Sequence, residues 1–140
     1  MNYFHVMVRV TDLDASLKFF CGTLGLREVR RWESEKGRFT IVHVAGQTDP
    51  DTLTIELTHN WDPEVLTGGR NFGHIAFAVD DIYETCSRAM KDGVTINRPP
   101  RDGNSAFIHT PDGISIEFRQ RGKALPPAEP WASMPNIGTW

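Results

Sequence analysis

Apolar and polar residues alternate cleanly along four stretches of the chain. In residues 73–79, Ile75, Phe77 and Val79 share one face of a strand, and His74, Ala76 and Ala78 share the other. Residues 4–10 set Val6, Val8 and Val10 against His5, Met7 and Arg9. Residues 53–60 are the most regular, with Leu53, Ile55 and Leu57 opposed to Thr54, Glu56, Thr58 and Asn60. Near the end, Ile114, Ile116 and Phe118 turn toward a core while Ser115, Glu117 and Arg119 turn away. Further strands are predicted over 26–32, 38–45, 94–97 and 105–109. Leu13, Leu17 and Phe20 fall at helical spacing, which predicts a helix to about Phe20 with Asp12 or Asp14 as its N-cap. A second helix is predicted over 82–91, closed by Gly93. The charged residues 33–37 read as a turn, and residues 46–51 and 98–103 as loops.

The order of these elements repeats. Laying His5 on His74 also lays Asp12 on Asp81, Leu13 on Ile82 and Ser16 on Thr85. The offset, 69 residues (74 minus 5), is half of a 140-residue chain. Each half reads strand, helix, then three strands. The expected fold is therefore α+β, two βαβββ modules from an internal duplication that build curved mixed sheets. The modules span about 3–61 and 70–120, joined by a linker at 62–69, within one domain covering residues 1–140. Residues 121–140 form a tail whose last eighteen hold four prolines and two tryptophans, predicting irregular chain packed on a surface.

Composition narrows the function class. A net charge of −3 and a pI near 5.9 give no reason to expect nucleic acid or an anionic membrane as partner. No apolar run approaches the roughly 18 residues of a membrane span. The first residues alternate and soon reach Arg9 and Asp12, which does not read as a secretion signal. Cys21 and Cys86 share no metal-type spacing and do not occupy matching places in the halves. Reduced, half-buried thiols in the cytoplasm are the expectation.

Candidate chemistry sits on the non-core faces. The first strand of each half carries a histidine there and the last a glutamate, pairing His5 with Glu56 and His74 with Glu117. Taken singly, each histidine reads as structural and each glutamate as a solvated carboxylate. Their repetition favours a divalent metal, because grouped imidazoles and carboxylates are costly without a partner and suit first-row ions. His59 falls on the Leu57 face of its strand and reads as packing.

The segments His5-x-Met-x-Arg9, Glu56-Leu-Thr-His-Asn-Trp61, Arg70-x-Phe-Gly-His-Ile75 and Pro111-Asp-Gly-x-x-Ile-Glu117 resemble the metal-binding strands of the glyoxalase I family of lactoylglutathione lyases, in the vicinal oxygen chelate superfamily. The resemblance covers roughly residues 3 to 120. It implies His5, Glu56, His74 and Glu117 as metal ligands. The implied reaction isomerises the glutathione–methylglyoxal hemithioacetal to S-lactoylglutathione by proton transfer through an enediolate. Glu117 is the implied principal base, with Glu56 acting from the other face. The resemblance implies that Arg9 and Asn60 hold the γ-glutamyl end of glutathione and Arg70 its glycine carboxylate, with Arg98 or Arg101 assisting. Forked cations suit such a dicarboxylate. His43 and His109 lie on strands that carry no family ligand and are read as structural. Histidine as first ligand in a short chain implies Ni²⁺ or Co²⁺ rather than Zn²⁺. A homodimer is implied, each site drawing His5 and Glu56 from one chain and His74 and Glu117 from the other.

Fold likeness alone leaves rivals, because one fold hosts many chemistries. An extradiol dioxygenase needs three protein ligands with open positions on iron, so a fourth ligand argues against it. An acyl-CoA epimerase has no use for the Arg9, Asn60 and Arg70 set. A metal-free drug-sequestering protein has no use for four ligands.

Overall fold

Backbone pairing turns the alternation into two four-stranded mixed sheets, one in each of two compact units, Met1–Gly68 and Gly69–Trp140. The computed structural model describes Met1, residues 3–46 and residues 53–140. All but Gly46 of the loop expected over 46–51 lies outside the described residues.

The first unit runs β1 (His5–Arg9), α1 (Leu13–Leu17), β2 (Arg27–Ser34), β3 (Phe39–Ala45) and β4 (Thr54–Asn60), with sheet order β1-β4-β3-β2. The second runs β5 (His74–Val79), α2 (Ile82–Lys91), β6 (Ile96–Arg98), β7 (Ser105–His109) and β8 (Ser115–Gln120), with order β5-β8-β7-β6. In both sheets the first and last strands lie side by side and parallel, and the remaining pairs are antiparallel. The expected βαβββ repeat is thus one topology used twice.

The repeat extends to hydrogen bonds. Asp12 caps α1 by accepting from the Ala15 N–H, and Asp81 caps α2 by accepting from Tyr83 and Glu84. One turn on, the Ser16 hydroxyl donates to the Asp12 carbonyl and the Thr85 hydroxyl to the Asp81 carbonyl, at 2.8 and 2.7 Å. Residues matched by the 69-residue offset therefore do the same local work.

The apolar face of each sheet is its core. Val8, Val42, Val44, Ile55 and Leu57 are buried in the first unit; Ala106, Ile108, Ile116 and Phe118 are buried in the second, with Ile82, Cys86 and Ala89 of α2. Each large side chain so placed contributes roughly 1.5–3 kcal/mol of burial.

Several boundaries differ from the sequence reading. The α-helix ends at Leu17 and continues as a π-helical stretch, Lys18–Thr23, where Leu24 N–H donates to the Phe19 carbonyl at 3.0 Å. That wider turn buries the adjacent Phe19 and Phe20 together, where an α-helical count selects Phe20 alone. Leu53 was expected in the core but is 60% exposed; its φ of +42° takes it off the ladder that begins at Thr54. Strand β2 continues to Ser34, two residues into the expected turn, because its antiparallel register with β3 reaches Phe39. In the second unit, the strand expected over 94–97 is β6, Ile96–Arg98, and Pro99 and Pro100 are fully buried despite the loop-like composition. Cys86 is fully buried rather than half-buried, and burial pushes its thiol up to about 12; Cys21 is partly exposed. No helix is long and apolar enough to cross a membrane, among the described residues.

The tail is irregular but anchored within its unit. Trp131 is buried and stacks on Tyr83 at 6.4 Å, and Ile137 exchanges backbone and side-chain hydrogen bonds with Asn97. Leu125 N–H donates to the Gly103 carbonyl, and Gly103 has φ of +65° with the Leu125 carbonyl where a Cβ would stand. Gly103→Ala is expected to lower stability by about 1–3 kcal/mol in urea unfolding, by strain and by displacing the tail. An unchanged midpoint would show that the tail is loosely held.

Candidate metal centre

The ladder brings the predicted residues together within each unit. In the first, Met7 lies beside Glu56 on the parallel β1–β4 pair, so His5 and Glu56 share the face away from the core. The His5 Nε2 is 3.4 Å from the Glu56 Oε2. In the second, Ala76 lies beside Glu117, and the His74 Nε2 is 3.1 Å from the Glu117 Oε2. The same atoms meet in both sheets. Neither glutamate is the solvated carboxylate of the bland reading: their side chains are only 16% and 12% exposed.

Each glutamate has further partners. The Thr58 hydroxyl donates to Glu56 Oε1 at 3.3 Å, and Arg119 approaches Glu117 Oε1 at 3.4 Å. A partner that sequence reasoning placed elsewhere is His43. It sits directly across from Glu56 on the antiparallel β3–β4 ladder, and its Nε2 is 3.2 Å from the Glu56 Oε2. Its Nδ1 meets the Thr54 hydroxyl at 2.9 Å, and its ring stands edge-on to His5 at 5.4 Å. Reading His43 as merely structural is corrected here. The chain offers no local signal for it, because Val42-His43-Val44 looks like core strand and only the cross-strand register reveals the neighbour. Burial holds the His43 imidazole below its ordinary pKa, outweighing the opposing pull of Glu56.

The donor set fits a divalent cation. One ligand atom each from His5, His43 and Glu56 lies within 4.8 Å of the others, the one such trio among the described residues. Among the described residues the buried His5 Nδ1 has no hydrogen-bond partner, so no protein acceptor there fixes the tautomer that leaves Nε2 beside Glu56. Imidazole nitrogen with carboxylate oxygen suits first-row divalent ions.

The predicted substrate residues lie at the ends of the ligand strands. Arg9 is exposed at the end of β1 beside Thr58. Asn60 ends β4 and donates its amide to Glu64 at 2.6 Å. Arg70 is exposed in the bend before β5. Arg98 and Arg101 are already engaged: Arg98 holds Ser105 and Asp102, and Arg101 holds the Met134 carbonyl of the tail. His59 contacts the Val10 carbonyl, consistent with packing, and His109 ends β7 beside Ser115.

Residues 2–118 match the Glyoxalase/Bleomycin resistance protein/Dioxygenase superfamily, and the chain belongs to it. Within that superfamily the chain is similar to the lactoylglutathione lyase of Neisseria meningitidis serogroup B, 41% identical over 126 residues that cover 86% of this chain and 91% of the relative. The probable lactoylglutathione lyase of Synechocystis is 40% identical, covering 86% and 95%. Among solved structures, the trypanothione-dependent glyoxalase I of Leishmania major superposes with a TM-score of 0.80 at 32% identity, covering 86% of each chain.

Proposed function

We infer that this chain is a metal-dependent lactoylglutathione lyase that converts the hemithioacetal of glutathione and methylglyoxal to S-lactoylglutathione. The observation that carries the reading is the His–Glu pair repeated at one register in both sheets, His5 with Glu56 and His74 with Glu117. Relatives named for this activity, similar over most of their length, support it. The four side chains are read as the ligands of one divalent ion, Ni²⁺ or Co²⁺ in preference to Zn²⁺. The protein is read as a cytoplasmic homodimer, each centre drawing one pair from each chain.

A divalent metal held by His5, Glu56, His74 and Glu117 would supply Lewis acidity that makes the substrate's C1–H acidic. Glu117 is read as taking the proton from C1 and returning it to C2, with Glu56 able to act from the other face. Arg9 and Asn60 receive the γ-glutamyl end of the thiol, and Arg70 its glycine carboxylate, fixing the reacting carbons against the carboxylates. Metal-free protein reconstituted with Ni²⁺ or Co²⁺ is expected to regain full lyase activity, and with Zn²⁺ little. Full activity with zinc alone would overturn the metal preference; no activity with any metal would overturn the lyase reading.

A further inference from the structure

The two sheets pair each glutamate with a histidine in the same way, and one difference lies directly across the antiparallel ladder from the glutamate. His43 lies across the ladder from Glu56, and Phe107 lies across the ladder from Glu117. Both rings stand edge-on to the adjacent histidine at the same separation, His43 to His5 and Phe107 to His74, each at 5.4 Å. The match extends one residue further. Thr54 is beside His5 and Ser115 is beside His74 in the parallel pairs, so the two hydroxyls occupy equivalent positions. In the first unit that hydroxyl is hydrogen-bonded to the His43 Nδ1 at 2.9 Å. In the second the Ser115 Oγ is buried and, among the described residues, has no hydrogen-bond partner. The internal repeat is thus a control: an aromatic ring fills the position in both sheets, and only the first uses a ring with two nitrogens.

We propose that His43 is a positioning residue that locks the Glu56 carboxylate through the relay Thr54–His43–Glu56, so that one carboxylate of the centre is fixed as ligand while its counterpart, Glu117, is left to move a proton. With the proton on Nε2, the relay would run from the Thr54 hydroxyl into Nδ1, 2.9 Å away, and from Nε2 toward Glu56 Oε2, 3.2 Å away. Packing alone does not require this, since Phe107 supplies the same edge-on contact without it. Among the described residues the Glu117 carboxylate has no imidazole beyond His74, and its other partner is Arg119, itself half exposed, at 3.4 Å. A hydrogen bond to a ligand carboxylate fixes which oxygen faces the metal and how tightly it is held.

This inference rests on the metal reading above, and its test separates the two. His43→Phe copies Phe107 and keeps the ring; His43→Gln keeps a donor near the Nε2 position. Metal-free wild type and both variants are titrated with Co²⁺ against a competing chelator, and the visible spectrum of the bound Co²⁺ is recorded. The expected result is Co²⁺ binding about 10–100-fold weaker in His43→Phe, with His43→Gln restored to near wild type and the spectrum little changed. Equal affinity in wild type and His43→Phe would overturn the relay and leave the metal centre standing. Weak binding in both variants with an altered spectrum would also overturn it, by making His43 a ligand. A wild-type chain that takes up no Co²⁺ would overturn the metal centre and the relay with it.

Discussion

Glu117→Gln is expected to lose about two to four orders of magnitude in turnover while the protein stays folded and holds most of its metal. The amide keeps a coordinating oxygen and the shape of the side chain, so the β5–β8 ladder and the buried Ile116 and Phe118 beside it are undisturbed. What it cannot do is accept a proton. Glu56→Gln is expected to be milder, about tenfold, because that carboxylate is surrounded by donors, His43 and Thr58, and reads as the fixed ligand of the pair. Turnover, metal content and circular dichroism of the two variants check this. Equal and small losses would show that neither carboxylate is the main base.

A mixture of two inactive variants is expected to recover about a quarter of wild-type activity. One is Glu117→Gln; the other carries Glu56→Ala, which removes a ligand outright. If each centre takes its first pair from one chain and its second from another, a hybrid dimer holds one doubly damaged site and one intact site. Random exchange makes half the dimers hybrids, and half of their sites work. If each chain builds its own centre, every site keeps a lesion. Exchange is verified with a size tag on one variant. No recovery after exchange would reject sharing between chains and leave the four ligands themselves to be tested separately.

How legible all this was in the sequence depends on how local each cause is. Period-two alternation reports which face a side chain takes, so His5, Glu56, His74 and Glu117 were readable as a set lifted off two core faces. Helix caps are local too: Asp12 acts where expected, and Asp81, its match in the repeat, caps in the same way. The π-helical stretch was not legible, because it accompanies the joint burial of the adjacent Phe19 and Phe20, which helical spacing does not foretell. Leu53 continued the alternation but not the ladder, since hydrogen-bond pairing, and not side-chain pattern, ends a strand. His43 is the instructive case. Its neighbours in sequence are valines, whereas its chemical neighbours, Thr54 and Glu56, lie 11 and 13 residues away and come alongside only when β3 and β4 pair.

Appearance of the thioester product is the measurement that tests the account most directly. Purified protein is given glutathione and methylglyoxal, and S-lactoylglutathione is followed by ultraviolet absorbance before chelation, after it, and after a divalent metal is returned. The account predicts rapid formation at first, the uncatalysed background after chelation, and recovery with Ni²⁺ or Co²⁺. Thioester formation that persists undiminished in metal-free protein, or none at any stage, would contradict it.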